Sequence, residues 1–185
     1  MPRKVAPMWM AFALVALVSK PVFAMAETNE SATSSDVAEL FGLPVNGLSL
    51  VKLESRLESM GLQSYPSYKP GIVSYSLGPE GILGVTNATI YFNSSKYVSQ
   101  VLLSGVVESS EKRKNLGELL GRKYGVPTEG SLKNGLGRST WSFRDGTTIN
   151  LRNTTYDVSI LYVDEQPEVM TRSNKIDVEA LSNRK

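Results

Sequence analysis

Neither cysteine nor histidine occurs anywhere in the 185-residue chain. The missing histidine removes the commonest general base and the commonest metal ligand together. Without thiolates as well, zinc, copper, haem and iron–sulfur sites lose their usual donors. Only a hard cation held by oxygen remains open, and the closest acidic group, Asp164-Glu165 with Glu168, reads as a polar strand end. No metal and no cofactor is therefore expected. No disulfide can staple the fold, so it must be held by its core alone. The lipid anchor of bacterial lipoproteins, which needs a cysteine, is excluded too.

Surplus charge is also scarce. The chain holds 20 basic and 18 acidic residues, but Arg3, Lys4 and Lys20 lie in the first 26 residues, where there is no acid. Residues 27–185 then carry 17 basic against 18 acidic residues, a net charge of −1. Phosphate binding needs clustered Lys and Arg in excess, so nucleic acid is not expected as a partner. The one basic cluster, Lys112-Arg113-Lys114, reads as a solvated helix face.

Long apolar runs are absent beyond the N-terminus. There, Arg3 and Lys4 precede a mostly apolar stretch from Val5 to Val18, and Ala24-Met25-Ala26 supplies small residues ahead of Glu27. Basic, apolar and small residues in that order are the pattern of a cleavable signal peptide over residues 1–26. An uncleaved anchor would need roughly 20 apolar residues, and this run is shorter and carries Pro7. Cleavage is expected before Glu27, with Met25 as second choice, and the mature protein is expected to be periplasmic or secreted without stable membrane insertion. Asn29, Asn87, Asn93 and Asn153 each begin a glycosylation sequon, which leaves a eukaryotic secreted protein as an alternative.

What is present fits no catalytic pattern. Ser109-Ser110-Glu111-Lys112 satisfies Ser-x-x-Lys, but the companion motifs of β-lactam-recognising enzymes are missing. Glu54 and Glu58 share one helix face and flank no cleft, as a glycosidase pair would. Gly78, Gly81 and Gly84 fall between strands and open no helix, so they form no phosphate cradle. Gly117, Gly121 and Gly125 repeat every four residues and read as a flat stripe that brings a helix close to a sheet.

The patterning predicts an α+β domain over residues 37–166. A lead at 27–36 is too polar to order itself, and a polar tail at 167–185 either forms a weakly docked helix or stays loose. A helix begins after Ser49, with Leu50, Leu53, Leu57 and Met60 on one face and Gly61 as its stop. A second runs from Ser110 to Tyr124, with Leu116, Leu119, Leu120 and Tyr124 inward. Period-two alternation predicts strands at 72–77, 87–93, 97–107, 138–144, 147–152 and 156–163. Trp141 and Phe143 point inward, and Asp145-Gly146 is placed for a type I′ hairpin.

These elements read as a tandem pseudo-repeat of helix–strand–strand–strand, at about 49–107 and 110–163, forming antiparallel sheet with two helices packed on one face. An offset of 59 lays Thr89-Ile90-Tyr91-Phe92 over Thr148-Ile149-Asn150-Leu151, Val101 over Ile160 and Leu102 over Leu161. The layout is similar, at the level of fold alone, to that of secreted protease- and β-lactamase-inhibitory proteins, a resemblance that assigns no residues. One six-stranded sheet and two three-stranded sheets both remain open.

The expected function is a small exported, non-enzymatic module that binds another envelope or secreted protein, as an inhibitor, immunity factor or assembly accessory. The alternative is a carrier of a small or lipidic ligand held between helices and sheet. Candidate contact residues are Tyr65, Tyr68 and Lys69, in a Pro-stiffened loop where exposed rings favour an interface, and Tyr91 and Asn150 on the outward parity of their strands.

Overall fold

A computed structural model describes residues 34–65 and 67–168. The expected signal peptide, most of the lead, Pro66 and the tail from residue 169 lie outside the described residues. Ser34 to Asp36, assigned to the lead by composition, are tied down. The last carbonyls of a helix lack intrahelical donors, and Ser35 N–H supplies one to Lys123 at 2.8 Å.

A short hairpin, β1 (Glu39–Leu40) and β2 (Leu43–Pro44), leads into α1 (Leu50–Ser59). Ser49 caps α1, its hydroxyl accepting from Lys52 N–H at 3.4 Å, and Leu50, Leu53 and Leu57 are buried. Met60 is the cap residue beyond the last turn and stays 41% exposed, not buried as its spacing predicts. The second helix, α2, spans Ser110–Tyr124 as its periodicity predicts. Ser109 accepts from Lys112 N–H at 3.2 Å, so the Ser-x-x-Lys match is a helix cap. Leu119, expected inward, faces out, and Gly117 takes the inward place. The reason is a close approach: a Cβ on Gly117 would overlap the backbone of Gly135. Of the three-glycine stripe, Gly117 is therefore the member that lets backbone meet backbone.

The strands are β3 (Gln63–Tyr65), β4 (Ile72–Ser76), β5 (Asn87–Phe92), β6 (Val98–Val106), β7 (Glu129–Lys133), β8 (Leu136–Ser142), β9 (Thr147–Asn153) and β10 (Asp157–Asp164). They make a single antiparallel sheet of eight strands, ordered β3-β4-β5-β6-β10-β9-β8-β7. The fold is thus sheet-dominated α+β, with four strands after each helix where three were expected, and one sheet of eight instead of six strands or two threes. β3 and β7 are the edges. Almost every residue in them is exposed, so neither shows the alternation that marks a half-buried strand.

Tyr75, Ala88, Ile90, Val98, Val101, Trp141, Ile149, Leu151, Val158, Ile160 and Tyr162 fill one sheet face and join the helix leucines in a continuous core. Phe92, which alternation with Ile90 would set on the inward side of β5, is only partly buried, because a bulge follows Tyr91 and leaves its ring at the rim with Lys96 Nζ 4.5 Å away. The β8–β9 hairpin also departs from expectation. Asp145 keeps negative φ, and only Gly146 is left-handed, at φ 81°. Gly146 N–H donates to Phe143 O, and Phe143 N–H to Thr147 O, which closes a three-residue loop instead of a two-residue type I′ turn. Phe143 consequently leaves the strand.

Tyr162 is buried in the core, and burial, with Tyr124 beside it, holds its phenol well above the ordinary value. An unfolded tyrosine releases its proton near pH 10. Above that pH the unfolded chain loses a proton that the native state keeps, so stability is intact below about pH 10 and falls as pH rises further. Urea midpoints measured at pH 8, 10 and 11 should show this decline, and Tyr162→Phe should flatten part of it. An equally steep decline in the variant would assign it elsewhere.

Candidate functional site

The second face of the sheet is open. None of the described strand residues that point to it is buried. Directly opposed residues of antiparallel neighbours share a face, so the register can be followed across all eight strands. One row reads Tyr65, Ser74, Thr89, Leu102, Leu161, Asn150, Thr140, Glu129. Leu102 and Leu161 meet at its centre, across the β6–β10 seam. On one flank Ser74 Oγ donates to Thr89 Oγ1 at 3.4 Å, and on the other Thr140 Oγ1 donates to Asn150 Oδ1 at 2.9 Å. These bonds fix the side chains that border the leucines.

The rows on either side differ in character. One carries Ile72, Tyr91, Gln100, Val163, Thr148 and Ser142. The other carries Ser76, Asn87, Ser104, Ser159, Arg152 and Arg138, which sets the two arginines directly opposite each other. Leu102, Leu161, Asn150, Thr140, Arg138, Arg152, Ser159 and Glu129 border a concavity of about 520 Å³ over strands β6, β10, β9, β8 and β7.

Three of the five expected contact residues, Tyr65, Tyr91 and Asn150, lie on this face, and the fold separates them. Asn150 borders the concavity. Tyr91 lies one row away on β5, and Tyr65 lies in the same row as Asn150, five strand spacings or about 24 Å distant. Tyr65 is 49% exposed and Tyr68 fully exposed, so neither ring tucks the β3–β4 loop onto the sheet. Tyr68 and Lys69 sit in that loop, where Ser67 Oγ donates to Lys69 O and accepts from its N–H, both at 3.2 Å. They belong to the β3 edge, away from the concavity.

Leu102, Leu161, Thr140, Arg138, Arg152 and Glu129 were not among the expected contacts. A signal for two of them exists in the sequence: leucine at the outward parity of a strand, between Val101 and Leu103 and again between Ile160 and Tyr162.

Other sequence features have structural roles. Asp164 is buried and accepts from Gly47 and Gln166 N–H at 2.9 and 3.0 Å. Among the described residues no group of three or more acids is placed to hold a metal, and no helix is long and apolar enough to cross a membrane. Asn153 is fully buried, its amide donating to Arg113 O and Gly135 O at 2.6 and 2.9 Å, which closes that sequon to a glycan in the folded protein. Comparison with protein-family models, curated proteins and solved structures finds no match.

Proposed function

We propose that this chain is an exported, non-enzymatic module that binds another envelope or secreted protein through the open face of its sheet, as an inhibitor, immunity factor or assembly accessory. The observation that carries the reading is the central Leu102–Leu161 pair, half-buried with nothing upon it among the described residues and ringed by hydroxyl, amide and arginine side chains. An apolar centre inside a polar rim is the anatomy of a protein interface. The carrier alternative would need a cavity between helices and sheet, where the helix leucines and the inward sheet side chains form one buried cluster.

The tandem repeat belongs to the same reading. Its support is the order helix then four strands, twice, and the sheet order that runs outward from β6 and β10 to two equivalent edges. The alignment needs a two-residue gap, however. Ile90 pairs with Val101, whereas Ile149 pairs with Tyr162, and Ile160 with Leu151. Doubling would give the open face two like halves meeting at the leucine seam.

Leu102→Arg tests the proposal. Leu102 is only partly buried and lies on the open face, where an arginine can reach solvent, so stability should change by only about 1 kcal/mol. The purified parent and the variant are used as paired baits in envelope extracts. The parent should retain a stoichiometric protein that the variant retains at least tenfold less. Identical catches, or stoichiometric lipid in place of protein, would defeat the reading.

A further inference from the structure

We infer that the partner presents a carboxylate to Arg138 and Arg152. The inference rests on the open-face reading above and names the chemistry that the face recognises. Arg138 on β8 and Arg152 on β9 are cross-strand partners on that face. Like charges set directly opposite one another repel, whereas opposite charges across strands attract. Here the ion pairs among the described residues are Lys112–Glu80, Lys114–Glu118 and Lys123–Glu39, and they include neither arginine. Glu129 and Asp157 stand one diagonal step away, yet neither is paired with them.

Arg138 and Arg152 both border the concavity that holds Leu102 and Leu161. Guanidinium forks match a carboxylate in two-point geometry, and a neighbouring apolar surface excludes water and strengthens the bond. The occupant is thus a segment of a protein partner in which an Asp or Glu lies beside a large apolar side chain. The acid seats between the arginines and the apolar group rests on the leucine seam. An isolated anion would use the arginines and leave the leucines uncovered, so a peptide chain fits the whole concavity better.

A displayed library of random twelve-residue peptides, selected on the purified protein, tests this. Enriched peptides should carry Asp or Glu within two residues of Leu, Ile, Phe or Tyr. For the strongest synthetic peptide, changing its acid to the amide should weaken Kd at least tenfold. Arg138→Gln with Arg152→Gln should do the same, and the two changes together should cost no more than either alone, the mark of one shared interaction. The melting temperature of the double variant should equal or exceed the parent's, because a repulsion is removed. That outcome separates a recognition pair from a structural one.

Enriched peptides without acids, no enrichment at all, or losses that simply multiply would overturn the inference. Peptides without acids that still fail on Leu102→Arg would leave the open-face reading standing. Acidic peptides that fail on the arginine variant and ignore Leu102→Arg would keep the carboxylate and remove the leucine seam.

Discussion

Trp141→Ala should lose about 3–5 kcal/mol of stability, the range for emptying an aromatic site in a core. Trp141 is 2% exposed and lies where α2 meets the sheet, its ring centroid 6.2 Å from that of Tyr124. Its indole Nε1 donates to Gly125 O at 3.1 Å, at the end of α2. Truncation therefore opens a cavity and also strips a helix-end carbonyl of its donor. Trp141→Phe separates the two effects. It keeps most of the ring volume and should cost about 1–3 kcal/mol for the unsatisfied carbonyl and the remaining void. Urea melts of the two variants provide the measurement. Equal losses would mean that the hydrogen bond, and not the packing, anchors α2 to the sheet.

The second large effect is a change of sign within one helix. Gly117→Ala places a methyl group into the carbonyl of Gly135, and backbone on both sides cannot swing away as a side chain would. Asn153 already ties Arg113 O and Gly135 O together at 2.6 and 2.9 Å, so the helix cannot lift without breaking those bonds. A loss of about 3 kcal/mol is expected, at the upper end for forced overpacking. Gly121→Ala, one turn on, meets nothing nearer than Leu132 Cδ1 at 4.0 Å. There the better helix propensity of alanine should raise stability by roughly 0.5–1 kcal/mol. Denaturant midpoints of the pair read the contrast directly, and a shared sign would contradict the close approach.

Legibility followed burial. The central strands and α2 could be read from sequence because each buries one face, and a buried face forces a period upon the residues. β3 and β7 bury neither face, so nothing in Gln63–Tyr65 or Glu129–Lys133 announces a strand. The hairpin at Asp145-Gly146 shows a different failure. A two-residue turn there would set Trp141 opposite Asn150, one inward and the other outward, and a one-residue slip of this kind reverses a strand's faces. The observed loop sets Trp141 opposite Ile149, both buried. That register also makes neighbours of Arg138 and Arg152. Tyr91 and Asn150 were found on the outer face because parity alone decides it, whereas the arginine pair depends on how two strands align. Leu102 and Leu161 were visible as exceptions to alternation, but their meeting requires β6 to lie beside β10, which no local pattern encodes.

That seam has a consequence for how the chain acquires its structure. β6 (Val98–Val106) finds one neighbour, β5, across a short turn, but its other neighbour, β10 (Asp157–Asp164), arrives only at the end of the described chain. While the second half is still being synthesised, the longest strand of the sheet has a bare row of N–H and C=O groups. Such a row is a template for any other extended segment. Closing it requires the long intervening segment, α2 to β9, to be brought round, so local hairpins are expected to gain their contacts first and the seam last. The same two leucines that mark the middle of the finished face lie on the last boundary to be sealed. Until then, that edge is open to pairing by any extended segment, a strand of a second copy included.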